Sequence, residues 1–551
     1  MNKKKVCIQT FAIISLVSGA VTSNIPMASA QQIKSEAFSM VSVQVESGLD
    51  IKTKLPFNTK LVIRFNSPIE RYTVDDSALF VTDEFGNHVS ITKSIIDQDK
   101  TIIINPPSSG YVPGRTYTLH VKNEIYAKTG KKLTQAVKQV FRIQNEVVNI
   151  QGNKAHTFFI GSQGEVWKSG QDGVLSTEEK NKQQTAPQPY KELKDIETIV
   201  NGKTHFLALK KDGTVWAWGE NKSGELGNGT TDPQNSPVQI KGIENIKTII
   251  AANDADGKGY SIALEENGTV WTWGSNQYGQ LGIGDWNGTA VMKPVQVQNL
   301  RDVESITSGV GNVFAVKSDG KVYAWGDNRF SQLGDDSTQT RYLPIQIDKV
   351  KEIDSIVAGK NHTLAYQKNG NVYAWGNNEF GQLGNGTSSS SDIPVQVNEL
   401  SGVKKIIVIN NSNFALKNDG TVWAWGQNEK EQLGDGTKMS RFIPFKINNL
   451  SHIQDITIDE KSGLALDEEG KVWTWGLGQQ GSSTERPNNI IGSTPVQVNN
   501  LTNIKSIYAK SESYFAIGID GSISTWGENS YGQLGDGTNK ARTVPVKVPA
   551  F

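Results

Sequence analysis

The six histidines of this chain are its best candidates for acid–base or metal chemistry, and their spacing argues against both. His156, His205 and His362 occupy the same place in a repeated unit. A shared metal or catalytic centre would require these side chains to converge, whereas successive units carry them apart. The remaining three histidines form no spaced cluster with carboxylates, so the sequence predicts no histidine-based site.

Other candidate motifs are equally incomplete. The insertion 253–259, NDADGKG, has part of a calcium-loop pattern but lacks the downstream acid at the expected spacing, so we expect a polar surface loop. Asp75-Asp76 and Asp335-Asp336 are interpreted as solvated turns. Nucleophile-elbow, phosphate-loop and dinucleotide-binding motifs are absent from the sequence. We therefore predict no catalytic residues, no metal site, no cofactor and no enzymatic activity; no residues could be named for a lyase or hydrolase.

The first thirty residues have the form of a secretory signal peptide. A basic start at 3–5 precedes an apolar stretch, and Ala28-Ser29-Ala30 offers a cleavage site. Cleavage would remove Cys7, the single cysteine, which excludes disulfides and thiolate chemistry. It would also change the formal net charge from zero to about −3, which does not favour nucleic acid or anionic lipid. We expect a secreted or extracellular protein, cell-wall associated in one alternative, without membrane insertion.

A W-G dipeptide that recurs about every fifty residues determines the expected architecture. Its tryptophans are Trp218, Trp273, Trp325, Trp375, Trp425, Trp475 and Trp526. The unit around Trp375 predicts four strands, at 344–347, 353–358, 362–367 and 371–375, with a two-residue Asn369-Gly370 hairpin between the last two. Four antiparallel strands repeated at a fixed period indicate an all-β propeller, and the recurrent tryptophans are expected to be core residues.

We count eight such units in residues 147–551, including a degenerate VWKSG at 166–170. We assign a proline-led strand to the start of each later unit. The first unit lacks this strand, and the chain ends with one, VPVKV at 544–548. We therefore predict that the C-terminal strand pairs into the first blade and closes the ring.

The region 38–145 lacks tryptophan and contains short β-rich runs separated by turn signals, which predicts a β-sandwich. The segments 55–69, 111–121 and 141–143 resemble bacterial Ig-like domains of S-layer and other surface proteins. That resemblance implies a spacer or adhesion module.

The repeats resemble those of the regulator of chromosome condensation family. The resemblance rests on HTLAYQKNGNVYAWG at 362–376, NNEFGQLGNGT at 377–387 and NSYGQLGDGT at 529–538. It implies a propeller usually of seven blades, so a ring of seven remains an alternative to eight. It also implies a structural role for the repeated histidines, which would tie down a loop. The nucleotide-exchange and chromatin activities of the family are not expected for an exported, non-basic chain.

Candidate binding residues lie in the N-x-x-G-Q-L-G loops. Strand parity places these loops and the loops that precede the histidine positions on one face of the ring. The G-Q-L-G frame is interpreted as structural, whereas the two middle positions vary. Exposed aromatic and basic residues there are of the types that anchor interfaces. The predicted partner-binding residues are Tyr278, Arg329, Phe330, Phe380, Lys430 and Tyr531. In the alternative, each ring lies flat over its neighbouring blade.

Two functions follow from this pattern. The first is a non-enzymatic, secreted or cell-surface propeller that binds an extracellular or envelope protein through a composite interface of these loops. The alternative is a structural or adhesive envelope protein that binds cell-wall polysaccharide by stacking sugars on the same aromatics.

Overall fold

The computed structural model describes residues 37–47, 51, 54–108, 110–171, 183–476 and 493–549. The predicted signal peptide, 1–30, lies outside these ranges. Within them the chain is almost entirely β, with one short 3-10 helix at Arg71–Thr73. No helix of the described part is long and apolar enough to cross a membrane.

Residues 40–143 form a β-sandwich of two sheets. In spatial order the first sheet contains Met40–Val45, Leu61–Phe65, Thr101–Asn105 and Thr92–Ile96. The second contains Lys54–Leu55, Val137–Ile143, Thr116–Val121, Leu79–Asp83 and His88–Val89. Their facing side chains make one apolar core, in which Leu61, Ile63 and Leu119 are fully buried. Burial of alternate residues, as in 116–121, reflects the two-residue period of a strand.

Eight four-stranded antiparallel sheets follow, and we number them as blades 1 to 8. The inner strands are Val147–Gly152, Ile196–Asn201, Ile246–Asn253, Val303–Ser308, Ile353–Ala358, Val403–Ile409, Ile453–Ile458 and Ile504–Lys510. The second strands are His156–Gly161, His205–Lys210, Gly259–Glu265, Asn312–Lys317, His362–Gln367, Ser412–Lys417, Ser462–Asp467 and Ser513–Gly518. The third strands are Val166–Gln171, Val215–Gly219, Val270–Gly274, Val322–Gly326, Val372–Gly376, Val422–Gly426, Val472–Gly476 and Ile523–Gly527. The outer strands are Gln183–Pro189, Gln234–Gln239, Val291–Gln296, Arg341–Gln346, Ser391–Gln396, Arg441–Lys446, Val496–Gln497 and Arg542–Lys547.

This architecture confirms the predicted all-β fold and the count of eight. One assignment was wrong: the proline-led strand does not open a blade but closes the preceding one. Arg341–Gln346 pairs with Val322–Gly326 of blade 4, because the N-x-x-G-Q-L-G loop returns the chain antiparallel to the third strand of its own sheet.

The predicted closure by strand exchange was therefore also wrong. The C-terminal strand Arg542–Lys547 pairs with Ile523–Gly527 of its own blade 8, and blade 1 has its outer strand in Gln183–Pro189. Blade 8 and blade 1 instead meet through side chains. Val147, Phe159, Phe515 and Val548 share one buried cluster at this seam.

The turn between the second and third strands also differs in detail from the prediction. In blade 5 the Gly370 amide donates to the Gln367 carbonyl, and only Gly370 has a positive φ, 83°. The turn is thus a three-residue loop that ends in glycine rather than a two-residue one. A Cβ at Gly370 would come within 2.6 Å of the Gly402 nitrogen of the neighbouring blade, which gives a second reason for glycine.

The recurrent tryptophans pack between blades, as predicted, and all seven are 0–1% exposed. Five of their indole nitrogens donate to a backbone carbonyl in the loop of the preceding blade, at 2.8–3.0 Å: Trp273 to Glu225, Trp325 to Gln280, Trp375 to Gln332, Trp425 to Gln382 and Trp475 to Gln432. In blade 1 the equivalent residue is Ser169, whose hydroxyl donates to the Gln533 carbonyl of blade 8 at 3.2 Å. The seam keeps the hydrogen bond but lacks the indole.

A second contact links the loop of one blade to the outer strand of the next. The amides of Gly229, Gly284, Asp336, Gly386, Gly436 and Gly537 donate to the carbonyls of Met292, Tyr342, Asp392, Phe442, Ser493 and Thr185, respectively. The last of these bonds, 2.8 Å long, crosses the seam from blade 8 to blade 1. The ring therefore closes with a contact that five other junctions also use.

Each outer strand also carries a proline. These residues are Pro187, Pro237, Pro294, Pro344, Pro394, Pro444, Pro495 and Pro545, of which Pro495 immediately precedes the shorter strand of blade 7. In every blade the residue three positions after the proline donates its amide to the first residue of the third strand; in blade 4, Ile347 donates to the Val322 carbonyl at 2.9 Å.

Candidate functional site

Two sets of loops share one face of the ring, which we call the top face. The inner loops connect inner to second strands, and the outer loops connect third to outer strands. Antiparallel order within each sheet places both sets at the same end. Direct bonds join them in blade 3, where the buried Asp254 of the inner loop accepts from Ser275 and Gln280 of the outer loop at 2.6 and 3.2 Å.

A buried asparagine organises each described N-x-x-G-Q-L-G loop. In blade 5 the Asn378 Oδ1 accepts from the Leu383 amide at 2.8 Å, while its Nδ2 donates to the carbonyls of Thr387 and Ser389 at 2.9 and 3.0 Å. The same amide-to-Oδ1 bond recurs, at 2.9–3.1 Å, for Asn221, Asn276, Asn328, Asn428 and Asn529. The asparagine thus fastens both halves of the loop.

An aspartate–arginine ion pair braces the same loop in three blades. Asp335 is only 4% exposed and pairs with Arg341 at 2.6 Å; the equivalent pairs are Asp435–Arg441 and Asp536–Arg542. The interpretation of Asp335-Asp336 as a solvated turn was therefore wrong for Asp335. The neighbouring Asp336 is exposed and pairs with Lys349.

The glutamine of the frame holds the backbone of the variable positions. In blade 5 the Gln382 Oε1 accepts from the Phe380 amide at 2.9 Å. The amides of Tyr278, Phe330, Lys430 and Tyr531 are bound in the same way at 2.8–2.9 Å. Because the frame binds the backbone, the side chain at this position can vary without loss of the loop.

Tyr278 and Arg329 are brought together across blades 3 and 4. The Arg329 guanidinium lies 4.2 Å from the centre of the Tyr278 ring, and it forms a bidentate ion pair with Asp327 at 2.8 and 2.9 Å. The Tyr278 hydroxyl donates to Asp256 at 3.2 Å. The ion pair with Asp327 raises the pKa of Arg329, so this group is a fixed positive charge. The pair presents one composite surface, with the guanidinium outermost.

The other predicted residues lie on separate outer loops around the same face. Phe330 is 43% exposed and Lys430 is exposed, whereas Phe380 and Tyr531 are half-buried. Tyr531 lines a cavity at the inner rim beside the seam of blades 8 and 1. The structure therefore distributes these residues over blades 4, 5, 6 and 8.

Two exposed apolar residues of the outer loops were missed. Trp286 is 75% exposed in blade 3, and Met439 is 72% exposed in blade 6. The sequence does distinguish Trp286, because it lies outside the strands that contain the other tryptophans. Met439 had no such signal, since the loop length there matches that of its neighbours.

The repeated histidines are structural, in agreement with the role that the resemblance implied. The Nε2 atoms of His205 and His362 bond to Ser261 and Asn413 of the next blade at 3.2 and 2.8 Å. His156 bonds to Asn153 in its own inner loop. Complete burial lowers the pKa values of His205 and His362 to about 4, so both rings are neutral at physiological pH.

The Asp254 loop is polar, but the oxygens of its central carboxylate are bonded within the protein. Asp254 Oδ1 accepts from the amides of Asp256 and Lys258 at 3.0 and 2.9 Å, and its other oxygen is used by the outer loop. Over the ranges that the structure describes, no group of three or more histidine, cysteine, aspartate or glutamate residues could hold a metal ion.

The geometry defines a class: a closed β-propeller with loops of fixed frame and variable tips on one face. Comparison with known proteins gives its family. The RCC1-like domain family matches residues 128–458, an RCC1 repeat matches 520–551, and a bacterial Ig-like domain matches 34–143. The chain belongs to the RCC1-like family, whose propellers typically bind proteins.

Curated relatives match about a third of this chain or less. Human HERC2, an E3 ubiquitin-protein ligase, is 32% identical over 201 residues, or 35% of this chain and 4% of its own length. Human HERC6, a probable E3 ubiquitin-protein ligase, is 36% identical over 34% of this chain and 19% of its own. The zebrafish (Danio rerio) RCC2 homolog is 35% identical over 27% of this chain and 31% of its own. The chain thus spans less than a third of each of these relatives.

Two solved structures are similar to parts of this chain. Human WBSCR16 is 19% identical with a TM-score of 0.48, covering 61% of this chain and 93% of that protein. Prp20p from Saccharomyces cerevisiae is 23% identical with a TM-score of 0.47, covering 60% and 85%, respectively.

Proposed function

We propose that this chain is a secreted or cell-surface, non-enzymatic propeller that binds an extracellular or envelope protein through its top face. One observation carries the proposal: the outer loops hold their backbones with Asn and Gln side chains of the frame while the tips differ between blades. A repeated scaffold with non-repeated tips suits recognition of an irregular protein surface. The signal-like segment and the bacterial Ig-like domain support the location.

The chemistry of the tips suits a protein partner. Phe330 and Trp286 offer aromatic surface, Met439 offers an adaptable apolar chain, and Arg329 and Lys430 offer positive charge. Aromatic residues, methionine and arginine are enriched at protein interfaces. Because these tips lie on different blades, the interface would be broad and composite.

The test is capture of partners from bacterial supernatant and envelope fractions with purified residues 31–551, followed by mass spectrometry. The variant carries Tyr278→Ala, Phe330→Ala, Phe380→Ala and Tyr531→Ala. Ile519→Ala serves as the matched control, since Ile519 is 54% exposed at the opposite face, beside the turn between the second and third strands of blade 8.

The expected result is one stoichiometric protein that the native chain and the Ile519→Ala control retain and the fourfold variant loses. Loss of several interface anchors would cost about 2 kcal/mol or more each at the best-packed positions. Equal capture by the fourfold variant would reject these residues. Capture of cell-wall glycan alone would favour the adhesive function instead.

A further inference from the structure

A cavity of about 900 Å³ opens on the top face where the inner strands of blades 6, 7, 8, 1 and 2 end. Its wall includes the apolar side chains of Ile409 and Ile458, the ring of Tyr531, and the polar ends of Gln151 and Lys510. A volume of this size lies in the range of sites that enclose small ligands or peptide segments. The cavity thus has room for a short peptide segment.

Lys510 is the unusual group in this wall. Its ammonium bonds to the Gln151 Oε1 at 2.9 Å, and this amide oxygen is its sole hydrogen-bond acceptor among the described residues. Desolvation lowers the pKa of Lys510, which reflects a charge without an adjacent carboxylate. Two of the three ammonium protons therefore remain available to a bound group.

Two other lysines of the inner strands are paired with carboxylates. Lys405 lies 2.8 Å from the Asp455 carboxylate and also donates to the Ile456 carbonyl. Lys505, on the same strand as Lys510, lies 2.8 Å from Glu146. A partly buried ammonium normally has such a counter-ion, because its desolvation is otherwise uncompensated.

The carboxylates that share the cavity wall are engaged elsewhere. Asp459 accepts from the amides of Lys461, Ser462 and Glu512 at 2.8–3.2 Å. Glu512 is paired with Lys461, and Glu528 accepts from the backbone and hydroxyl of Ser530. Glu460 is exposed at the rim. Lys154 also lines the cavity but is exposed to solvent. Lys510 is therefore the partly buried cation of this wall that has no carboxylate partner among the described residues.

We propose that this cavity binds a carboxylate-bearing peptide segment of a partner protein, with Lys510 as the counter-ion of the carboxylate. Ile409 and Ile458 would cover the apolar part of the segment, and the Tyr531 ring would flank it. The inference extends the proposed function, because it adds an anchor for one acidic side chain at the inner rim of the top face. The exposed Glu460 makes a run of several acids unfavourable and favours a single one.

The test measures protection of Lys510 from acetic anhydride in the purified chain, residues 31–551. Two blocked peptides serve as probes: Ac-Leu-Asp-NH2, and its nearly isosteric amide Ac-Leu-Asn-NH2 as the control. Mass spectrometry gives the acetylation rate of Lys510 relative to that of Lys404, an exposed lysine near the opposite end of an inner strand. A site of millimolar affinity at about 10 mM peptide would slow the Lys510 rate by about threefold or more.

Protection by the aspartate peptide alone supports the inference. Equal protection by both peptides, or by neither, overturns it, because the carboxylate would then have no role. No partner protein is present in this assay. Failure of the partner-capture experiment and failure of peptide protection are therefore separate results.

Discussion

His205 and His362 begin the second strands of blades 2 and 5, where their rings are enclosed completely. Each ring forms a hydrogen bond with the next blade. Within the described part of the chain, no carboxylate stabilises a positive charge on either ring. The same position holds Asn312 in blade 4 and Ser412 in blade 6. A histidine here is therefore a neutral polar connector, and its protonation opposes the folded state.

This arrangement predicts acid sensitivity. The folded pKa of each ring is about 4, against 6.5 for the free side chain, so the unfolded chain binds more protons between these values. The free energy of unfolding should fall as the pH drops from 6.5 towards 4, by about 1.4 kcal/mol per histidine per pH unit within that window. Denaturant titrations at several pH values measure this slope.

The variant His362→Asn, which copies the residue of blade 4, should show a smaller slope than the native chain. His452 is exposed and serves as the control, so His452→Asn should leave the slope unchanged. An unaltered slope in His362→Asn would show that the ring is protonated in the folded state.

Within a single element, the N-x-x-G-Q-L-G loop, some residues stabilise the loop and others are available for recognition. Asn378 lies buried and is bonded to both halves of its loop, whereas Phe380, two residues later, is held by its backbone and presents its side chain to the surface. Nearby positions in one loop therefore have different roles, one in stability and one in recognition.

A matched pair of substitutions tests this division. Asn378→Ala should lower the free energy of unfolding by about 2–4 kcal/mol, because it leaves the buried Leu383 amide and loop carbonyls without partners. Phe380→Ala should cost about 1 kcal/mol or less. Chemical denaturation of both variants gives the comparison. Similar losses for the two would mean that the Phe380 ring is part of the packed loop.

The period and the turn residues were sufficient to predict four strands per blade and the count of eight. The turn glycine marks every unit, and the W-G dipeptide marks seven of the eight. The sheet to which a strand belongs was not predictable in the same way. The order of elements along the chain is identical whether Arg341–Gln346 closes blade 4 or opens blade 5, and only hydrogen bonding decides. Likewise, the sequence could not show that Lys510 bonds to Gln151 and to no carboxylate among the described residues, because these two residues are 359 positions apart.

Across the whole molecule, the seam between blades 8 and 1 is the one junction without a covalent connection. It retains the Gly537–Thr185 hydrogen bond and a shared apolar cluster. It has Ser169 where other junctions bury an indole, and a buried tryptophan contributes a large apolar contact. The ring should therefore open here first.

Hydrogen exchange can locate the weakest junction. The Gly537 amide crosses the seam, and the Gly386 amide makes the equivalent bond from blade 5 to blade 6. We expect Gly537 to exchange about tenfold or more faster, as a difference of about 1.4 kcal/mol in local opening would give. Equal protection of the two amides would mean that the ring opens only by global unfolding.

The outer prolines have a consequence for how copies of this chain meet one another. Alternate residues of a strand direct their amides to the same side, so the inward bond from Ile347 places the nitrogen of Pro344 on the outward side. The same parity applies in all eight blades. A strand from another molecule that tried to extend any of these sheets would lack a hydrogen-bond donor near the middle of the new ladder. Crowded copies would thus resist growth into ribbons by edge-to-edge pairing of their outer strands.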